Sequence, residues 1–147
     1  DLLVHCTHAT DGQLREIADS GIPVAVCPRS NWILGVSASA ALPPLARMVD
    51  LGCTLLLGTD NVMFVQPDLW GEMAFVSTVY RLDPREILAS AVRGSGRFLS
   101  PAIIEEGFPA RFLVLDAAGS NLSFSRDPVA TLVKRAGPSD IREKYLF

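Results

Sequence analysis

The sequence has little charge of either sign. Charged residues make up 20% of its 147 residues, the formal net charge is −3, and Lys and Arg do not cluster. It therefore lacks the basic surface that binding to a nucleic acid or an anionic membrane requires. The longest uncharged stretch, between Arg29 and Arg47, is interrupted by Ser, Asn, Gly and two Pro, so it does not resemble a membrane span. We expect neither a nucleic acid nor a membrane among its partners.

Cysteine and histidine are scarce as well. The three cysteines, Cys6, Cys27 and Cys53, are odd in number, and each lies in or beside a predicted buried strand. This usage favours a reduced cytoplasmic location over a disulfide framework, and no basic segment followed by an apolar run indicates a signal peptide. The only histidines are His5 and His8. A Gly-rich phosphate loop and a GxSxG nucleophile motif are absent, which disfavours enzymes built on either motif.

What the sequence does contain is an alternation of apolar strands and amphipathic helices. Hydrophobic residues make up 49% of the chain, which argues against disorder. The patterns predict strands at 2–5, 22–27 and 53–58, and a loop over 29–42. They predict helices that begin after Thr10, at Pro43-Pro44, after Asp68 (running to about Leu82), and after Asp83. Strands and helices at this spacing indicate an α/β fold with a parallel sheet.

The pattern changes from about Leu99. Strands are predicted at 112–116 and 141–147, with a short helix begun by Asp127-Pro128 between them. We therefore expect two parts, residues 1–98 with the parallel α/β pattern and residues 99–147 as a tail that forms a small β element.

Polar clusters follow all three predicted parallel strands. They are His5-Cys6-Thr7-His8, Pro28-Arg29-Ser30-Asn31 and Gly58-Thr59-Asp60-Asn61. Reacting groups of parallel α/β proteins lie at the carboxyl ends of the strands. One such cluster could be a turn or a helix cap, but three on consecutive strands favour a functional site.

These three motifs, in this order, resemble the amidohydrolase superfamily, and most closely its branch of chlorohydrolases and cytosine, guanine and S-adenosylhomocysteine deaminases. In the tail, Glu105-Glu106-Gly107 followed by residues 110–116 is similar to the segment in which such chains leave the barrel for a small β-sandwich. The resemblance implies a partial TIM (β/α)8 barrel, strands six to eight with their helices, plus C-terminal strands of the sandwich. We expect residues 1–98 to be the barrel part and residues 99–147 the tail returning to the sandwich.

The resemblance also implies one or two divalent metals, zinc or iron. Asp60 matches the aspartate that ends strand eight, which binds the metal and takes a proton from the attacking water. This role is chemically reasonable, because a metal lowers the pKa of bound water towards about 7 and a neighbouring carboxylate can receive the proton. The alternative for Asp60 is a cap or turn residue before the next helix.

His5 matches the histidine that ends strand six, which polarises the substrate or, in binuclear members, binds a second metal. Its alternative is a hydrogen-bonded residue of the barrel interior, whereas His8 is expected to be an exposed turn residue. The other residues that we expect to line or support the site are Arg29, Ser30, Asn31, Trp32 and Glu72. Of these, Arg29 faces either an anionic substrate group or solvent, and Trp32 is either a stacking wall or a core residue. Glu72 is expected to supply a supporting hydrogen bond.

The sequence departs from the family in its metal ligands. It has neither the HxH pair of strand one nor the histidine and glutamate that follow strand five. Val26 stands where many relatives have histidine, and Arg111 replaces a common aspartate. A complete barrel of this type needs about 250 residues, so we expect the chain, which starts at Asp1 without a Met, to be the C-terminal portion of a longer protein and inactive alone.

Three hypotheses remain. In the first, the parent protein is a metal-dependent hydrolase of carbon–nitrogen bonds other than peptide bonds, deaminating a cyclic amidine or nucleobase-like small molecule. In the second, the chain is a non-catalytic barrel fragment or interaction module without metal. The third, another parallel α/β enzyme, fits the order of the motifs poorly. Because open strand edges aggregate, we also expect pairing with another copy or with the missing N-terminal portion.

Overall fold

Three short parallel strands form the sheet that carries the polar strand ends. The structure, a computed structural model, describes residues 1–92 and 103–146. The strands are β1 (Leu3–Val4), β2 (Val24–Val26) and β3 (Leu55–Leu57), and they lie in the order β1-β2-β3. Val4 pairs with Ala25 and Val24 pairs with Leu55, so all three strands end at the same edge. The predicted parallel α/β arrangement is confirmed.

Helices connect these strands and cover the sheet. They are α1 (Asp11–Ser20), α2 (Pro28–Ile33), α3 (Leu45–Asp50), α4 (Leu69–Phe75) and α5 (Pro84–Val92). The predicted start of α1 is confirmed, since Thr10 and Gln13 form a capping box, and Gly21 ends the helix with a φ of +64°. Side chains from the sheet and the helices share one core, which includes Leu14, Val24, Val26, Leu45, Met48 and Ile87. Among the described residues, no helix is long and apolar enough to cross a membrane.

The predicted loop over 29–42 is wrong in its first part, because α2 occupies Pro28–Ile33. The sequence pattern ends the second strand at Pro28, whereas Pro28 is the first residue of a helix, a position where its missing N–H costs nothing. A six-residue helix is also too short to show an amphipathic repeat. The difference matters because α2 carries most of the predicted site residues.

The helix predicted from Asp68 to about Leu82 changes its hydrogen bonding partway. After α4 the chain continues as a π-helical turn, Val76–Tyr80, and ends at Arg81 with a φ of +56°. Tyr80 is buried, and its hydroxyl donates to the carbonyl oxygen of Leu42 at 2.8 Å. This hydrogen bond ties the end of the helix to the segment before α3.

The tail contains two predicted strands and a predicted helix. Strands β4 (Arg111–Leu115) and β5 (Ile141–Leu146) pair antiparallel, with Phe112 and Tyr145 stacked at a centroid distance of 4.6 Å. Helix α6 (Pro128–Arg135) packs against α4 and α5 instead, and its fully buried Val133 joins the core. The expected boundary between residues 98 and 99 lies outside the described residues.

Candidate active site

The carboxyl ends of β1 and β3 have a backbone conformation that is uncommon outside glycine. His5, Cys6 and Asp60 have φ values of +66°, +46° and +61°. A side chain in this left-handed region costs conformational energy, least for Asp and Asn, and such residues concentrate at functional sites. The two residues with predicted catalytic roles, His5 and Asp60, are both among them.

The side chain of Asp60 is held on one side and open on the other. The hydroxyl of Ser30, in α2, donates to Oδ2 of Asp60 at 2.8 Å. Ser30 is fully buried, whereas Asp60 is exposed. The structure thus brings together two predicted site residues that are 30 positions apart. Among the described residues, no side chain donates a hydrogen bond to the other carboxylate oxygen of Asp60.

The thiol of Cys27 lies directly behind this carboxylate. It accepts a hydrogen bond from the backbone N–H of Asp60, and a Cβ added at Gly58 would lie 3.3 Å from its Sγ atom. Burial, reinforced by the charges of Asp60 and Glu72, raises the pKa of the thiol to about 11. Cys27 is therefore an unreactive packing residue behind Asp60. The sequence pattern assigns Cys27 no role in the site, although it directly precedes the cluster Pro28-Arg29-Ser30-Asn31.

The strand end of β1 is connected to α2 through Asn31. The side-chain amide of Asn31 donates to Thr7 Oγ1 at 3.5 Å, and both residues are buried. His5 lies two residues earlier, is half-buried, and its Nδ1 atom is buried with no hydrogen-bond partner within the described part of the chain. A buried ring nitrogen of this kind is available to a ligand or a water.

No hydrogen bond joins the side chains of His5 and Asp60. They follow the two outer strands of the sheet, with β2 between them. The usual spacing of strands places their backbones roughly 10 Å apart. A molecule of the size of a heterocycle could bridge such a distance, and a single side-chain contact could not.

Arg29 and Glu72 form a buried ion pair beside the site. Nε of Arg29 is 2.5 Å from Oε2 of Glu72, and the side chains are 20% and 0% exposed. Glu72 thus accepts hydrogen bonds from Arg29, and its supporting role in a functional site stays a prediction. Burial raises the pKa of its carboxyl, and the contacts with Arg29 oppose this. Because Arg29 is engaged by Glu72, its guanidinium neither faces open solvent nor reaches freely towards a substrate.

Trp32 and His8 lie at the margin of the site. Trp32 is 38% exposed, so it is not a fully buried core residue. Its ring packs edge to face against the ring of Phe75, with the ring centroids 5.9 Å apart. His8 is exposed, as expected for a turn residue.

The residues in the described ranges 1–92 and 103–146 do not by themselves form a metal site. No group of three or more His, Cys, Asp or Glu side chains there is arranged to hold an ion. Asp60 and His5 are side chains at the strand ends that could each contribute one ligand. A metal that bound here would need further ligands from outside these ranges.

Known proteins resemble this chain over nearly its whole length. A protein of Methanothermobacter thermautotrophicus that carries an aminohydrolase name is 37% identical over 146 residues, which covers 95% of this chain and 35% of that protein. A 5-methylthioadenosine/S-adenosylhomocysteine deaminase of Nitratidesulfovibrio vulgaris is 32% identical over 152 residues, which covers 95% of this chain and 34% of that protein. The chain spans about a third of the length of the curated relatives it matches. No family model matches it.

Solved structures show the same partial overlap. An adenosine deaminase from Xanthomonas campestris with bound zinc superposes with a TM-score of 0.90 at 22% identity, covering 99% of this chain and 35% of that one. A mutant atrazine chlorohydrolase from Arthrobacter aurescens, complexed with zinc and atraton, gives 0.82 at 25% identity and covers 95% and 33%. The first likeness supports the fold only, because the identity is low.

Proposed function

We propose, since this chain belongs to the amidohydrolase superfamily, that it is part of a metal-dependent hydrolase of carbon–nitrogen bonds other than peptide bonds. The reaction proposed is hydrolytic deamination of a cyclic amidine or nucleobase-like small molecule. The observation that carries the proposal is Asp60, which follows strand β3, has a left-handed backbone conformation and has one oxygen held by Ser30. Asp60 is exposed, so a ligand can reach it.

Asp60 and His5 are proposed as the catalytic residues. The carboxylate of Asp60 accepts a proton from the attacking water, a role that Ser30 supports by fixing Oδ2. The unpartnered Nδ1 of His5 offers a hydrogen bond to the leaving group or carbonyl-forming atom of the substrate. Ser30, Asn31, Trp32, Arg29 and Glu72 line or support this edge.

A divalent metal, zinc or iron, would supply activation of the water in such a site. The described residues do not fit a complete metal centre, since one carboxylate and one imidazole on separate strands are too few. We therefore propose Asp60 as one ligand of a centre whose other ligands lie outside this chain. We expect the chain alone to be inactive.

The larger architecture is proposed on the same basis. Strands β1 to β3 would be strands six to eight of a barrel, with residues 1–98 as the barrel part and 99–147 as the tail returning to a small β-sandwich. Within the described residues β1 and β3 are the edges of the sheet, so pairing with the remaining barrel or with another copy is expected. A cytoplasmic location stays a prediction that rests on the free thiols Cys6, Cys27 and Cys53.

The test uses the full-length protein. Its metal content is measured, and purines, pyrimidines and triazines are screened for ammonia or chloride release. Asp60→Asn should lower kcat/KM by about 10²- to 10⁴-fold and reduce bound metal, and Ser30→Ala should weaken metal binding about 10- to 100-fold. Asp19→Asn, an exposed change on α1, is the matched control. If the full-length protein binds no divalent metal, or if Asp60→Asn behaves like the control, the proposal is wrong.

A further inference from the structure

The guanidinium of Arg29 connects α2 to the loop that follows Asp60. Its Nη2 atom donates to the carbonyl oxygen of Gln66 at 3.1 Å and to that of Asp68 at 2.7 Å, while Nε donates to Glu72. The loop 61–68 begins immediately after Asp60 and ends at Asp68, whose side chain caps α4. One side chain therefore contacts the end of this loop and the helix that follows it.

Both carboxylate oxygens of Glu72 accept a hydrogen bond from Arg29. Its Oε2 accepts from the Nε atom at 2.5 Å, and its Oε1 accepts from the backbone N–H of the same residue at 2.8 Å. Glu72 is fully buried, and a buried carboxylate is tolerated only when it is paired and hydrogen-bonded. The pair thus fixes both the backbone and the side chain of Arg29 at the start of α2.

The space around the guanidinium is tight. A Cβ added at Gly71 would lie 2.7 Å from Nη1 of Arg29, closer than real Cβ contacts. Glycine at this position lets the first turn of α4 approach the guanidinium of Arg29 closely.

These contacts connect Arg29 to Asp60 by two routes. Ser30, the next residue in α2, donates to the carboxylate of Asp60, and the loop that leaves Asp60 is attached to Arg29 at its far end. We propose that Arg29 is a positioning residue. It holds the loop 61–68 against the start of α2 and thereby maintains the contact between Ser30 and Asp60. Its meaning for catalysis rests on the proposed function, whereas its effect on the loop does not.

The proposal requires arginine and not only a positive charge. A planar guanidinium can donate to a carboxylate and to two carbonyl oxygens at once, and a lysine ammonium cannot reproduce this fork. If Arg29 served only to neutralise the charge of Glu72, removing both charges together would leave the loop 61–68 unchanged. This difference separates a positioning role from a purely structural one.

The experiment measures amide hydrogen exchange of the loop in the full-length protein. Phe64 and Val65 are suitable reporters, because their N–H groups donate to the carbonyl oxygen of Asn61 within the loop. The double variant R29M/E72M removes both charges and replaces them with apolar chains of similar length. We expect an unfolding midpoint close to that of the unaltered protein and exchange in 61–68 that is at least about tenfold faster. Exchange that stays unchanged would overturn the proposal.

Two further variants keep the test decisive. Arg29→Lys retains the charge beside Glu72 but loses the fork, so it should also accelerate exchange in 61–68; it decides the question if the double variant does not fold. Arg47→Met is the matched control, since the side chain of Arg47 pairs with the exposed Asp11 of α1 and donates its hydrogen bonds there. Wild-type exchange in Arg29→Lys, or equal acceleration in the control, would contradict the proposal.

A kinetic measurement links the loop to the reaction. With a substrate from the screen, R29M/E72M should lower kcat by about 10- to 100-fold and leave KM nearly unchanged, because Asp60 and not substrate binding is disturbed. An effect on KM alone would contradict a role in positioning Asp60. If the full-length protein binds no metal and hydrolyses nothing, the proposed function fails, and the exchange result still decides whether Arg29 orders the loop.

Discussion

Two arginine–carboxylate pairs in this molecule have similar geometry and different surroundings. Arg29 and Glu72 are 2.5 Å apart with side chains 20% and 0% exposed, and Arg47 and Asp11 are 2.7 Å apart with side chains 42% and 51% exposed. The first pair joins α2 to α4 beside the candidate site, and the second joins α3 to α1 at the surface. Water can replace a lost partner in the second pair only, so burial and not distance determines what each pair contributes.

The pKa shifts of the two carboxyls express the same difference. A hydrogen bond from Arg47 lowers the pKa of Asp11, because it stabilises the charged carboxylate. Asp11 is exposed, so its carboxylate also remains hydrated. Burial raises the pKa of Glu72 although Arg29 bonds to it, because removal of the carboxylate from water outweighs the arginine contacts. Similar partners therefore shift the two carboxyls in opposite directions.

The largest effect is expected when one member of the buried pair is removed. Arg29→Met leaves the carboxylate of Glu72 buried without its partner, which should lower the free energy of unfolding by about 3–5 kcal/mol. Urea unfolding at pH 7 measures the loss, with R29M/E72M as the reference that removes both charges. The double variant should recover most of the loss. A single variant as stable as the double one would show that water replaces the arginine.

An intermediate effect is expected in the pH dependence of stability. The folded-state pKa of Glu72 lies above its ordinary value of 4.5, so its stabilising contribution is complete below that pH and is lost as the pH rises through the folded value. The free energy of unfolding of the unaltered protein should therefore fall with rising pH relative to that of Glu72→Gln. Urea unfolding of both proteins from pH 4 to 8 measures this difference. A difference that rises with pH would mean that Arg29 outweighs burial.

The smallest effect is expected at the exposed pair. Arg47→Met removes a contact that solvent and salt largely replace, so the unfolding midpoint at physiological salt should not change measurably. The pKa of Asp11 is lowered, so any contribution would be present above its ordinary value of 3.8 and lost as the pH falls through the folded value. Thermal unfolding at pH 3 and pH 7 measures both points. A clear drop in the midpoint at pH 7 would remove the contrast between the two pairs.

Local signals in the sequence were sufficient for the parallel layer. The capping box of Thr10 and Gln13, the aspartate before α4 and the apolar run of β3 each involve residues within four positions, and each predicted its element. The order of the three strand-end motifs predicted which residues lie close together at the edge of the sheet. Asp60 and Ser30 could be placed at one sheet edge because parallel strands end together.

The contacts that shape the candidate site could not be predicted in this way. Arg29 and Glu72 are 43 positions apart, and nothing in the surrounding pattern indicates that each is the other's partner. The left-handed backbone of His5 and Asp60 is likewise invisible, because neither is glycine. The role of Cys27 depends on a contact between its thiol and the backbone N–H of Asp60, in the segment that follows the next strand. Such features arise from tertiary packing.

The π-helical turn at Val76–Tyr80 also sets the rotational position of Tyr80 at the end of the helix. An α-helix advances by about 100° for each residue, and a π turn accommodates one residue more than an α turn does. Without that extra residue, Tyr80 would be rotated by about a quarter of a turn and its hydroxyl would not reach the carbonyl oxygen of Leu42. The position is thus intolerant of insertion and deletion, although substitutions on its exposed side, at Thr78, leave the phase unchanged.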